Sequence, residues 1–252
     1  MFFIDACALT IALHQRGGQY FMIGHYTIGA GPLSSLPPFF KVGGGIIDGP
    51  AAHRRCMGDA RAVIDVIDNG GQWTHREWRM LRYLGVDTQI LPNNTPINEI
   101  RDLDGLILSG GAARVGLTGE LGNCAEYLSL EVPILGICAG HQFMARHYGG
   151  DAGEAPKPEF GAATISLVDG GGPLFQGTPP EQTVWESHND EVTVTPPGFI
   201  VAAKSESCEI QAMQNIVLNR FGLQFHPEVN DTEFGQNIFE NFVRICKSSE
   251  SA

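Results

Sequence analysis

The feature that most constrains the fold is a cysteine set between a short apolar run and a helical pattern. Residues 133–137 are apolar and read as a buried strand, and the helical pattern after Cys138 ends at the glycines 149–150. Gly136 and Gly140 lie two residues before and two residues after the cysteine. A strand, a Gly-x-Cys-x-Gly turn and a helix form the cysteine version of the nucleophile elbow. The sequence therefore predicts an α/β fold that presents a reactive thiol at the end of a strand.

The chemistry predicted for Cys138 depends on its position at the start of a helix. The partial positive charge of the helix N-terminus favours a thiolate, and the backbone N–H of Ala139 is placed to bind an oxyanion. A buried structural cysteine is the alternative interpretation, because that is the commoner role of a lone cysteine. A general base elsewhere in the sequence would favour the catalytic interpretation over the structural one.

A candidate base ends a second strand near the C-terminus. Residues 222–225 read as the end of a strand that delivers His226, and Glu228 follows two residues later. Side chains two residues apart in an extended chain point to the same side, so His226 and Glu228 can be neighbours. A neutral imidazole can accept the proton of Cys138, and a carboxylate can fix its tautomer. Alone, His-Pro-Glu is typical of a surface turn; together with the elbow, it favours catalysis.

Strands and helices alternate along the first half of the domain, which predicts a mostly parallel sheet with helices on both faces. Parallel strands present reactive groups at their C-terminal ends, so residues 69–71, 109–111 and Cys138 are expected on one rim. The predicted elements are strands at 62–67, 86–91, 105–108 and 133–137 and helices at 72–84 and 120–130.

The pattern after residue 150 predicts a small antiparallel addition to that sheet. Short apolar runs alternate with turns rich in glycine and proline, and an amphipathic helix at residues 232–247 closes the domain. The predicted strands are 163–168, 183–186, 191–194 and 199–203, followed by a hairpin of 211–215 and 216–225.

Residues 1–56 differ in composition from the rest of the chain. They contain no glutamate and many glycines, and their apolar pieces lack clear turn and cap signals. They are either a loosely ordered extension or a stretch read through from a wrongly assigned start codon, and we favour the second. Met57 lies just before the first convincing strand. We therefore expect an atypical N-terminal extension at 1–56 and one domain at 57–252.

The composition argues against nucleic acids and membranes as partners. The chain has 252 residues, a net charge of −12 and only 16 Lys and Arg, with no basic run. No apolar stretch approaches the roughly 18 residues of a membrane span. Six scattered cysteines without CxxC spacing indicate reduced thiols in the cytoplasm. Cys138 and His141 form a C-x-x-H pair, but no second pair follows, so no metal site is expected.

Two motifs together resemble those of the class I, triad-type glutamine amidotransferases. They are residues 136–142, Gly-Ile-Cys-Ala-Gly-His-Gln, and residues 225–228, Phe-His-Pro-Glu. Ser-His-Asn-Asp at 187–190 and Asp-Asn-Gly-Gly-Gln at 68–72 are similar to segments typical of the separate amidotransferase subunits of two-subunit GMP synthases. The resemblance covers residues 62–246 and implies the flavodoxin-like or Rossmann-like fold of that family.

The resemblance implies catalytic roles for the matching residues. Cys138 would be the nucleophile, His226 the general base and acid, and Glu228 the residue that orients His226. The backbone N–H groups of Gly111 and Ala139 would form the oxyanion hole. The family usually has a larger residue than Ala139 after the cysteine, but a backbone donor depends little on its side chain.

The resemblance also implies a set of residues that bind the α-amino and α-carboxylate groups of glutamine. The chain departs from the family after the glycines 110–111, where Ala112 stands in place of the usual proline. That departure bears on the rigidity of the loop. The matching substrate-binding positions are Gln142, Ser187, His188 and Asn189.

The implied reaction releases ammonia from glutamine, and the chain has no motif for using it. No Gly-x-x-x-x-Gly-Lys-[Ser/Thr] loop occurs, and residues 109–114 lack the Asp-Ser of an ATP pyrophosphatase loop. The resemblance therefore implies a partner, the ATP-pyrophosphatase (synthetase) subunit of GMP synthase, which would bind ATP and Mg²⁺ and convert XMP to GMP. No cofactor is expected in this chain.

Three alternatives stay open at this point. The first is an amidotransferase subunit of another pathway, serving anthranilate, aminodeoxychorismate or carbamoyl phosphate synthesis. The second is a cysteine peptidase or other hydrolase of the same fold, against which Gln142 and residues 187–190 argue. The third is a non-enzymatic binding module, which the complete Cys, His and Glu set disfavours.

Overall fold

The computed structural model describes residues 61–248 and, before them, four short strands. These form two antiparallel pairs: β1 (Phe3–Ile4) with β4 (Gly31–Pro32), and β2 (Cys7–Leu9) with β3 (Tyr26–Ile28). The chain divides into two compact units, residues 1–56 and 57–252. The prediction of a wrongly assigned start codon falls mainly on residues outside those described and stays a prediction.

Five parallel strands form one half of a nine-stranded sheet. They are β5 (Ile64–Asp68), β6 (Ile90–Pro92), β7 (Gly105–Leu108), β8 (Ile134–Ile137) and β13 (Arg220–Leu223). Their order across the sheet is β6, β5, β7, β8, β13. β7, β8 and β13 are buried along their whole length, as expected for parallel strands with both faces covered.

Four antiparallel strands extend the sheet beyond β13. From β13 outward they are β12 (Ala212–Asn215), β11 (Ile200–Ser205), β9 (Asp151–Leu167) and β10 (Glu181–Val194). β12 pairs antiparallel with β13, and β13 then runs parallel to β8. The predicted hairpin therefore returns the chain to the parallel half, next to the strand that precedes Cys138.

The outer strand pair is longer than the sequence pattern predicts. β9 and β10 span 17 and 14 residues, where the pattern predicts several short strands. Pro156 and Pro158 interrupt the pattern, but they lie between Glu154 and Glu159, where the register of the two strands shifts around Asn189. A proline in such a bulge removes no ladder hydrogen bond, so the strand continues through it.

In residues 61–248, five helices accompany the sheet. They are α1 (Thr74–Tyr83), α2 (Val115–Thr118), α3 (Cys124–Tyr127), α4 (Ala139–His147) and α5 (Gly235–Ser248), with 3₁₀ turns at Ile97–Glu99 and Pro173–Phe175. The predicted helix at 120–130 is wrong in length, because Gly122 has a φ of 53° and no right-handed helix passes through that conformation. Among residues 61–248, no helix is long and apolar enough to cross a membrane.

Two hydrophobic cores lie on the two faces of the sheet. Alternate residues of β7 enter opposite cores, with Ile107 in one and Leu106 in the other. Phe242 of α5 packs in the first core, and Tyr127 of α3 and Met144 of α4 pack in the second. The sheet thus has helices on both faces, as predicted.

A protein that begins at Met57 is expected to fold and to keep its melting temperature. Among the residues that the structure describes, those that build both cores lie between Ala62 and Cys246, so the domain has extensive apolar burial of its own. Thermal unfolding followed by circular dichroism would compare the shortened and full-length chains. A melting temperature lower by more than about 4 °C, equivalent to roughly 1 kcal/mol at this size, would contradict the prediction.

Candidate active site

The nucleophile elbow predicted at Cys138 is present between β8 and α4. Cys138 has a φ of 49° and a ψ of −105°, a conformation that a non-glycine residue rarely adopts. Its backbone N–H donates to the carbonyl oxygen of Leu223 at 2.7 Å, and the N–H of Gln142 donates to the carbonyl oxygen of Cys138 at 3.0 Å. These two bonds fix the strained residue between β13 and the first turn of α4.

The two glycines of the elbow are needed because main-chain segments pass very close to them. A Cβ at Gly136 would lie 2.7 Å from the carbonyl oxygen of Gly140, and a Cβ at Gly140 would overlap the carbonyl oxygen of Leu108. Any larger residue at these positions would push α4 away from β8 or β7. The glycines therefore set the distance between the strand and the helix that hold Cys138.

His226 lies beside Cys138 and is held by Glu228. Its Nδ1 lies 2.7 Å from Oε1 of Glu228, and its ring is close enough to the side chain of Cys138 for the two groups to interact electrostatically. Burial by itself lowers the pKa of His226, but the Glu228 carboxylate and Cys138 act in the opposite direction. Together they hold the pKa of His226 well above its ordinary value. The arrangement therefore favours a protonated imidazole next to the sulfur.

His141, the other histidine near the thiol in sequence, has a different environment. It is fully buried, its Nε2 lies 3.2 Å from the carbonyl oxygen of Ile210, and its ring fills the space next to Gly222. Burial lowers the pKa of His141 to about 3. His141 is therefore a neutral packing residue, and His226 is the histidine that lies beside Cys138.

The loop that follows β7 contacts both the thiol and the imidazole. A Cβ at Gly110 would lie 3.1 Å from Cε1 of His226 and 3.5 Å from the Cβ of Cys138. The hydroxyl of Ser109 donates to the carbonyl oxygen of Gly110 at 2.9 Å. In a trans peptide the next N–H points away from the carbonyl. This bond therefore fixes the direction of the Gly111 N–H.

The turn after β5 braces that loop. The Nδ2 group of Asn69 donates to the carbonyl oxygen of Ser109 at 2.8 Å, and the backbone N–H of Asn69 donates to the Ser109 hydroxyl at 3.1 Å. Thr74 Oγ1, at the start of α1, lies 3.2 Å from the same hydroxyl. The loop conformation thus depends on the Asp-Asn-Gly-Gly-Gln segment at 68–72.

Gln142 and Arg114 position the segment of β10 at residues 187–190. Gln142 Nε2 donates to the carbonyl oxygen of Asp190 at 2.6 Å and to Gln224 Oε1 at 3.1 Å. Arg114 approaches the buried carboxylate of Asp190 with two nitrogens, Nη2 at 2.5 Å from Oδ1 and Nε at 2.8 Å from Oδ2. Such two-point pairs fix orientation as well as distance. Asp190 is therefore a structural anchor of this segment.

These elements enclose a cavity of about 420 Å³. Of the predicted site residues, only Ala139 does not line it, and the role predicted for Ala139 uses its backbone. Ser187 is half-buried and Asn189 is exposed in the cavity, whereas both ring nitrogens of His188 are engaged by protein atoms. The predicted residues that line the cavity are Gly111, Cys138, Gln142, Ser187, His188, Asn189, His226 and Glu228.

Sequence reasoning missed several side chains that line the cavity, among them Trp73, Glu77 and Arg114. The Trp73 ring meets the His226 ring edge-on, with centroids 4.4 Å apart. Arg114 gave no sequence signal, because its partner is 76 residues away. Glu77 lies four residues before Leu81 on one face of α1, a spacing that predicts its burial. Burial and then the charge of Glu228 raise the pKa of Glu77 well above its ordinary value.

Comparison with protein families identifies the class of protein to which this fold and cavity belong. Residues 65–246 match the family model described as glutamine amidotransferase class-I. The chain belongs to this family, and the fold class predicted from the elbow and the strand rhythm is confirmed.

Within the family, the chain is similar to archaeal proteins that are named as one of the subunits of glutamine-hydrolyzing GMP synthase. The protein of Thermoplasma acidophilum is 48% identical over 187 residues, which make up 73% of this chain and 93% of that protein. The protein of Thermococcus kodakarensis is 46% identical over 190 residues, or 73% of this chain and 98% of that protein.

Solved structures show the same relationships. One from Thermoplasma acidophilum, described as a subunit of GMP synthase, has a TM-score of 0.73 and 45% identity, covering 77% of this chain and 98% of that one. A glutamine amidotransferase from Thermotoga maritima has a TM-score of 0.57 at 20% identity, covering 76% and 85%. At that identity the second comparison supports the fold alone.

Replacing Glu228 by Gln is expected to lower the pKa of His226, because burial then acts without the opposing carboxylate. NMR titration of the His226 ring measures that shift. Since the raised pKa favours the protonated folded state, the pair stabilises the fold below about pH 6.5 and loses this contribution as the pH rises through the folded value. The difference in melting temperature from the unmodified protein should therefore be largest in mild acid.

Glu240→Gln on the exposed face of α5 is the matched control, since it removes an exposed carboxylate whose hydrogen-bond partner is Gln236 rather than the imidazole. It is expected to leave the His226 titration unchanged. An unchanged midpoint in Glu228→Gln as well would show that the carboxylate does not determine the pKa of His226.

Proposed function

We propose that this protein is the glutamine-hydrolysing subunit of a GMP synthase, releasing ammonia for a synthetase subunit that converts XMP to GMP. The observation that carries the proposal is the 2.7 Å His226–Glu228 pair beside Cys138 in a chain 48% identical to a subunit of an archaeal GMP synthase. Residues 187–190 and 68–72, singled out for that subfamily in the sequence, line or brace the same cavity. The other amidotransferase pathways have no comparable support.

The proposed reaction begins with Cys138. Its sulfur attacks the side-chain amide carbon of glutamine, and His226 protonates the departing nitrogen, so that ammonia leaves and a glutamyl thioester remains. His226 then removes a proton from water, which hydrolyses the thioester to glutamate and restores the thiol. Glu228 holds His226 in position and stabilises its charged form during both steps.

The negative oxygen that forms in each step needs donors that are already in place. We assign this role to the backbone N–H groups of Gly111 and Ala139. The bond from Ser109 to the Gly110 carbonyl supports the assignment for Gly111, because it fixes the peptide that carries the donor. The position of Ala139 as the first residue of α4 supports the second assignment, since the first N–H groups of a helix have no partner within it.

Glutamine binding is assigned to Gln142 and residues 187–189. The contacts of these residues support direct binding by some of them and positioning by the others. Ser187 and Asn189 have surface in the cavity and are the groups proposed to meet the α-amino and α-carboxylate groups. His188 and the Nε2 of Gln142 both reach the carbonyl oxygen of Asp190, so they are proposed to bind substrate mainly by fixing the segment.

The ammonia acceptor belongs to another chain in this proposal. The partner is the ATP-pyrophosphatase subunit, which would hold ATP and Mg²⁺, and the amidotransferase step itself needs no cofactor. We place the reaction in the cytoplasm. The free cysteines Cys124, Cys138, Cys208 and Cys246 support that location, because thiols are kept reduced in the cytosol.

Cys138→Ala is expected to abolish glutamate release while the mixture with the synthetase subunit still makes GMP from XMP, ATP and added ammonia. The reason is that Cys138 serves only amide cleavage. Cys208→Ala is the matched control, because burial raises the pKa of that thiol and disfavours its thiolate. Glutamate release by the Cys138 variant would contradict the assignment of the nucleophile.

The synthetase partner with ATP and XMP bound is expected to accelerate glutamine hydrolysis. Coupled sites share a free energy of typically ~1–3 kcal/mol, or roughly 5- to 150-fold in affinity. A reorientation of the Gly110–Gly111 peptide alone would account for such an acceleration. The reason is that losing one oxyanion donor typically lowers the catalytic rate by a factor on the order of 10²–10³. Glutamate release is measured with and without the partner, and with XMP omitted as control. A high rate that none of these additions changes would contradict the proposal.

A further inference from the structure

A second polar cluster surrounds His188, a residue that also lines the cavity. Nε2 of His188 lies 3.1 Å from Oε2 of Glu159 and 3.5 Å from Oε2 of Glu186. No two of the three ligand-type atoms are more than 4.8 Å apart. Glu186 is fully buried, and the side chain of Glu159 is one-tenth exposed, so the cluster reaches the surface at Glu159.

The contacts of His188 determine which of its nitrogens carries a proton. Nδ1 lies 3.1 Å from the carbonyl oxygen of Asp190, which can only accept, so Nδ1 is the donor. A neutral His188 then presents the lone pair of Nε2 to two carboxylates. A ring nitrogen fixed in this way by a backbone carbonyl is the usual outer arrangement of a metal-binding histidine.

A proton on Nε2 of His188 does not supply hydrogen bonds to both carboxylates of the cluster. One N–H can serve one oxygen well, and Glu159 Oε2, at 3.1 Å, is the nearer. Neither oxygen of Glu186 then has a hydrogen-bond partner among the described residues, although Gln211 lies beside it. A buried carboxylate without partners is costly, and a positive ion between the three side chains removes that cost.

We propose that Glu159, Glu186 and His188 bind a divalent transition-metal ion such as Zn²⁺. Ligand atoms held about 2.1 Å from one tetrahedral ion stand roughly 3.4 Å apart, which matches the two nitrogen–oxygen distances. Two carboxylates and a neutral imidazole balance the charge of the ion. Ligands of these types suit Zn²⁺ or Mn²⁺ and leave one position for water.

The residues around Glu159 support a built site. The hydroxyl of Ser205 donates to its Oε1 at 2.9 Å, and Nε2 of Gln211 donates to its Oε2 at 2.8 Å. The Oε1 atom of that buried Gln211 has no hydrogen-bond partner among the described residues. The ion would join β9 to β10 at the bulge around Asn189, and so steady the segment that faces the cavity.

The test measures Zn²⁺ and Co²⁺ binding by the full-length chain carrying Cys138→Ala, which removes the thiol that would otherwise bind the same ions with His226. After treatment with a chelator, calorimetry and the visible spectrum of Co²⁺ give the number and geometry of the sites. Adding Glu186→Gln or Glu159→Gln is expected to remove one equivalent, or to weaken it by on the order of 100-fold or more.

Glu181→Gln is the matched control, because Glu181 is an exposed carboxylate on the same strand, β10, and its loss should change nothing. Glu159→Gln is included in case the Glu186 variant does not fold. Glu159 lies at the edge of the cluster, so its replacement disturbs the buried packing less. Loss of one equivalent in both variants, with the control intact, supports the site. Equal binding by all variants, or no bound equivalent in the Cys138→Ala chain, overturns it.

Discussion

The close packing of main chain around the elbow is the constraint on which the site depends. Cys138 keeps an unfavourable positive φ only because β8, β7 and α4 meet without intervening side chains at Gly136 and Gly140. The N–H of Cys138 then reaches the carbonyl of Leu223 in the neighbouring strand. Strain at a functional residue persists where its surroundings over-determine it. The thiol is therefore positioned by backbone geometry before any substrate arrives.

The route of the chain through the antiparallel half of the sheet determines which residues meet at the cavity. The chain leaves the parallel sheet after α4 and forms β9 to β12, and only β13 returns, parallel to β8. That return brings His226 to a thiol 88 residues earlier in the chain, at the same edge of the sheet. The antiparallel strands also carry residues 187–190, so this part of the chain brings both the proposed base and the proposed substrate-binding segment to the cavity.

Most of the geometry of the candidate site could be predicted from the sequence, because its signals are local. The elbow at Cys138 and the pair His226–Glu228 each depend on residues within a few positions of one another. What could not be predicted depends on distant partners or on single dihedrals. Arg114 meets Asp190 across the cavity, and Gly122 shortens a helix that its neighbours favour. The extent of β9 was hidden because prolines in a bulge read as strand ends, and that of β10 because the polar residues 187–190 read as a turn between two strands.

The edge-on contact of Trp73 with His226 has an optical consequence. An excited indole transfers an electron readily to an imidazolium ring and much less readily to a neutral imidazole, and the two ring centroids are only 4.4 Å apart. The emission of Trp73 therefore depends on whether His226 carries its second proton. The fluorescence of Trp73 is therefore expected to follow the charge state of His226, the base proposed for this site, although Trp73 has no part in the proposed chemistry.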